Sequence, residues 1–185
     1  IRITSIWIFI LPVVILNLCL FISVNGHLLQ GTIFQVDAIG RSSFTIPYID
    51  GGTSISRVSR TYPTYLLFKP GMIITAILLV KYWLANNTLI NKIKNLDKKN
   101  NYFLLFGIGS AIFLILHSIL LGVTYEYDVY KFLRRFVLLG FIIFEIVAQA
   151  LLVISIFKTK EKITEFINKR ILILKIILVS ILIIV

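Results

Sequence analysis

Apolar residues in this chain arrive in blocks rather than in stripes. Blocks at about residues 4–24, 65–84, 102–124, 132–157 and 171–185 are separated by polar segments and hold few charged side chains. A helix of about 20 residues crosses the hydrocarbon of a bilayer, and the first four blocks reach that length. A helix of a soluble bundle would keep a polar stripe toward water, which these blocks lack. The alternation of a membrane barrel is also missing, and lipid cannot satisfy free backbone groups, so each block is predicted to be a transmembrane helix. The predicted fold is an all-α membrane bundle of about five transmembrane helices, forming a single domain over residues 1–185.

The polar segments are of two kinds. Residues 85–101 and 158–170 are short and lysine-rich. Residues 25–64 are long and carry Phe34, Phe44, Ile46, Tyr48, Ile49 and Tyr62 among glycine turn signals, which predicts an ordered outer loop cap. With the amino end inside, the inner segments hold eleven basic residues (Arg2, Lys81, Lys92, Lys94, Lys98, Lys99, Lys158, Lys160, Lys162, Lys169, Arg170). The outer segments hold seven (Arg41, Arg57, Arg60, Lys69, Lys131, Arg134, Arg135). That bias places the amino end on the cytoplasmic side, or the matrix side of an organelle. The acidic and aromatic turn Tyr125-Glu126-Tyr127-Asp128 suits the outer interface.

Composition strengthens the membrane assignment. The 185 residues are 58% hydrophobic and 15% charged, with a mean hydropathy of +0.97, against about 45–50% apolar in soluble domains. The net charge of +11 sits at the block ends, where basic residues set topology and attract anionic head groups. Membrane lipids are therefore the expected partners, and nucleic acid is not. The single cysteine, Cys19, excludes an intrachain disulfide. The first block is too long for a cleaved signal peptide and has no small-x-small site before Asn25-Gly26. The chain opens on Ile1 and is still apolar at Val185, so it is expected to be clipped.

Ionisable groups inside a span are costly and therefore informative. Glu145 lies near the middle of the fourth block. Arg134 precedes it by eleven residues, three helical turns, so the two share a face with Leu138, Phe141 and Gln149. Gln149, one turn on, can hydrogen-bond Glu145. In the third block, Gly107, Ser110, Leu114, His117, Ser118 and Leu121 mark a packed face of small residues. An antiparallel hairpin places His117 about level with Leu138, giving a polar track of Arg134, His117 and Glu145. The track reads either as a ligand or proton site or as interhelical hydrogen bonding. A second candidate lies in the cap, where Asp50, Gly51-Gly52, Arg57 and Arg60 could hold a phosphate or sugar head group through guanidinium and backbone N–H groups; the plain alternative is a structured loop. No metal or cofactor is expected, because His27 is the only other histidine and no ligand spacing occurs. A hydrolase using Ser54 or Ser56, His117 and Asp50 lacks a nucleophile elbow, so catalysis is not the expected activity.

Pro47-Tyr48-Ile49-Asp50, the following glycine turn, Pro63, Phe68 and a span ending in Lys81-Tyr82-Trp83 resemble the outer-loop signature of the damage-regulated autophagy modulator family. That family is related to the Frag and Sfk membrane proteins and to the amino-terminal half of the Cwh-type GPI-lipid remodelling proteins. His117 in a glycine- and serine-bearing span and Arg134 or Arg135 heading the next are also similar. Two features differ: the family's Ser-Asp pair is reduced to Asp50-Gly51, and the stretch to Pro63 is longer. The resemblance implies six spans in the intact protein and a role in lipid remodelling, lipid distribution or autophagy. The expected function is thus a non-enzymatic, lipid-engaging membrane protein. The alternatives are an accessory subunit packed among other membrane subunits of a respiratory or photosynthetic complex, and a small proton-coupled transporter using Glu145.

Overall fold

A computed structural model of the chain describes residues 1–35, 58–59, 61–94, 101–121, 128–158 and seven helical residues between 173 and 181. Among the described residues there is no strand. Four helices are long and apolar enough to cross a membrane: α1 (Arg2–Val24), α2 (Thr64–Lys94), α3 (Tyr102–Leu120) and α4 (Asp128–Lys158). A short 3-10 turn, Gly26–Leu29, follows α1. The protein is a multi-pass all-α integral membrane protein. Most of the cap and about half of the expected fifth span lie outside the described residues.

The helix ends differ from the sequence expectation for local reasons. α2 has 31 residues, about 46 Å at 1.5 Å per residue, against a hydrocarbon core of about 30 Å. Much of what was expected to be an inner loop after residue 84 is therefore helix. Hydropathy drops there, but Leu89, Ile90 and Ile93 keep helical spacing, and Ile90 is buried in the core cluster with Trp83, Phe103 and Leu152. Pro70 lies inside α2, and beside it Ile15 of α1 packs over Gly71. α4 begins at Asp128 and ends at Lys158, an acid and a base each complementing the helix dipole at its own end.

Neighbours in sequence are neighbours in space: α1 packs on α2, α2 on α3, and α3 on α4. Between α3 and α4 the fit is reciprocal. The Phe144 ring covers Gly109, the Phe113 ring covers Gly140, and the two rings meet edge-on at 5.1 Å. Glycine lets each backbone approach a ring, and van der Waals packing of this kind drives helix association in lipid. The anticipated small-residue face of α3 is packed, with Gly107, Ser110, Leu114, Ser118 and Leu121 all buried. The outward residues are apolar, as lipid requires: Phe9 is 72% exposed and Leu105 69%.

The end of α2 and the start of α3 are tied by asparagines. The Asn101 side-chain amide donates to Asn87 Oδ1 at 2.8 Å and to Asn91 Oδ1 at 3.0 Å, and its backbone N–H also reaches Asn87. Replacing Asn101 by alanine is expected to destabilise the bundle by about 1 kcal/mol, because two side-chain bonds are lost at once. A detergent-unfolding midpoint unchanged in that variant would exclude the knot as a structural element.

Candidate functional site

Helices packed in the order α1–α2–α3–α4 leave the first and last without extensive contact with one another. Between them lies a cleft of about 760 Å³. Its walls are Ile8, Pro12 and Leu16 from α1, Phe68, Met72, Thr75 and Leu79 from α2, Leu114, His117 and Leu121 from α3, and Arg134, Arg135, Leu138, Phe141 and Glu145 from α4. Ser59 completes the rim. The face of α4 that the sequence singled out is thus turned into a cavity, as the cost of burying its charges in lipid demands.

The cleft has two polar ends and an apolar middle. Arg134 and Arg135 stand near the start of α4, at the end expected to face outward. Glu145 lies about 16 Å deeper along the same helix. Leu138, Phe141, Met72, Leu79 and Leu114 fill the interval. Glu145 and Arg134 form no ion pair; the only one among the described residues is the exposed Lys131–Asp128 contact at 3.1 Å. At that exposure its contribution to stability is small.

Glu145 is held by neutral donors instead. The Ser110 hydroxyl donates to Oε2 at 2.7 Å, and Gln149 Nε2 donates to Oε1 at 2.8 Å. Ser110 is fully buried and its hydroxyl also lies 2.8 Å from the Gly107 carbonyl. The α4 carboxylate is therefore part of the α3–α4 interface as well as of the cleft floor.

His117 occupies the same wall. Its Nδ1 is buried and has no hydrogen-bond partner among the described residues. Arg134, His117 and Glu145 therefore line one cleft, but as separate groups rather than a bonded relay. Gln149 acts through Glu145. Asp50, Arg57 and Arg60 lie outside the described residues.

Three contributors carried no local sequence signal as cleft residues. Arg135 follows Arg134 directly and would fall about 100° around an ideal helix, yet both reach the cleft. Thr75 donates its hydroxyl to the Gly71 carbonyl at 2.9 Å, within α2, and Pro12 enters only because α1 crosses this opening. Pro12 also removes the N–H that would close on the Ile8 carbonyl, one turn back on the same wall. Among the described residues no three His, Cys, Asp or Glu side chains gather closely enough to hold a metal ion. No known protein family, curated protein or solved structure matches the chain.

Proposed function

We propose that this protein is a non-enzymatic, lipid-engaging membrane protein whose cleft between α1 and α4 receives a membrane lipid. One observation carries the reading: an apolar cavity of about 760 Å³ lies between two helices that do not close on each other. Such a cavity within hydrocarbon fills with what surrounds it, and the surrounding molecules have acyl chains. The cleft offers Leu138, Phe141, Phe68 and Leu79 to a chain; the arginines and Glu145 stand at its two ends, with His117 and Thr75 on the walls between. Ligand sites generally combine a mostly apolar lining with a few placed polar groups. A lipid-centred role also agrees with the resemblance to the autophagy-modulator family and its lipid-remodelling relatives.

Filling the cleft tests this. Leu138 lines the cavity and is 40% exposed, so Leu138→Trp adds bulk without displacing the buried core. Native mass spectrometry of the gently extracted chain is expected to show bound lipid on the natural protein and several-fold less on the variant, at equal thermal stability. Equal lipid retention by the two proteins would remove the cleft as the lipid site.

A further inference from the structure

We infer that the cleft selects a lipid whose phosphate head group carries net negative charge and no ammonium, with the phosphate held between Arg134 and Arg135. The inference rests on the lipid-cleft reading above and names the class of lipid.

Charge at the mouth is unbalanced. Two guanidiniums line the cleft there, and neither has a carboxylate partner among the described residues. Glu145 is the single carboxylate in the lining. It lies three turns deeper and is already bonded to Ser110 and Gln149. Arginine within a span is costly unless it is paired, hydrated or reaches head groups. Two adjacent guanidiniums at one mouth therefore call for an anion from outside the described chain. Their planar forks match phosphate oxygens in pairs, as a lysine ammonium would not.

The geometry also separates head-group classes. Choline or ethanolamine would bring a cation beside two guanidiniums, with no acid among the described residues lining the mouth to receive it. A phosphatidate, phosphatidylglycerol or phosphatidylinositol head group adds only hydroxyls or nothing. Below the arginines, the His117 Nδ1, unpartnered among the described residues, stands at the depth where the glycerol ester oxygens of such a lipid would lie. The acyl chain then runs along Leu138 and Phe141 toward the polar floor.

The test is competition between lipids. The full chain is reconstituted in phosphatidylcholine vesicles containing a minor fraction of phosphatidylglycerol, then extracted gently for native mass spectrometry. Phosphatidylglycerol is expected to be enriched on the protein over its share of the vesicle. Each arginine near the surface contributes roughly 1 kcal/mol, so Arg134→Gln with Arg135→Gln should lower that enrichment about tenfold to thirtyfold. Phosphatidylcholine should stay bound to this variant, and its unfolding temperature should stay near that of the natural chain. Retention of both lipids in their vesicle ratio would overturn the head-group assignment while leaving the lipid cleft standing. Absence of any bound lipid would remove the cleft reading itself. Displacement of bound phosphatidylglycerol by soluble glycerol 3-phosphate would assign the arginines to a free phosphate and overturn the lipid form of the proposal.

Discussion

Replacing Gly107 by alanine is expected to loosen the α2–α3 interface by about 1–3 kcal/mol, the range for an overpacked core. A Cβ at this position would clash with the Trp83 indole. The indole cannot swing away, because Trp83 is fully buried and is flanked by Phe103 at 6.1 Å and Tyr82 at 5.2 Å. In lipid, separated helices lose no hydrophobic shelter, so close packing is much of what holds this pair and little offsets the clash. A second change gives the test direction. Trp83→Phe shrinks the ring and removes an indole N–H that is buried without a partner among the described residues, so it should recover part of the loss in the Gly107→Ala background. The measurement is unfolding by SDS in mixed micelles, followed by circular dichroism. Additive effects of the two substitutions would mean that the residues do not touch, and the α2–α3 register would be wrong.

Glu145→Leu is expected to act in opposite directions on two steps. Insertion of α4 should become easier by about 3 kcal/mol, the scale for an ionisable residue at the centre of a span. The folded bundle loses the bonds to Ser110 and Gln149, each worth about 0.6 kcal/mol and at most about 1.7 in a membrane protein. Ser110 keeps the Gly107 carbonyl as an acceptor, so the lower figure applies on that side. Insertion wins, and the variant should reach the membrane at least as well as the natural chain while unfolding slightly earlier. A glycosylation-reporter assay on the α4 segment reads the first step and SDS unfolding the second. No gain in insertion would show that Glu145 does not sit in hydrocarbon. Glu145→Gln, which can still accept from Ser110, should unfold close to the natural chain.

Much of the α4 face was legible in the sequence. Arg134, Leu138, Phe141 and Glu145 recur at helical spacing, and the cost of burying charge in lipid directs such a face inward. The cleft lining includes all four. The bond from Gln149 to Glu145 is equally local, one turn along the same helix. The small-residue face of α3 was readable for the same reason. The end of α2 was misjudged, since a hydropathy average falls at Asn86-Asn87 while the helix continues on the packing of Ile90.

The sequence by itself determined the class of this protein. A bilayer requires every backbone group to be paired within its own segment, so runs of apolar residues suffice to name helices, their approximate ends and their membrane setting. The tertiary structure alone decided who meets whom. Ser110 bonds Glu145 across 35 positions, Asn101 ties back to Asn87 and Asn91, and Trp83 lies on Gly107. It also left α1 and α4 apart, with two arginines, unpaired among the described residues, at the mouth of the space between them. Helix rotation and register come from packing between residues distant in sequence, and no local pattern encodes them.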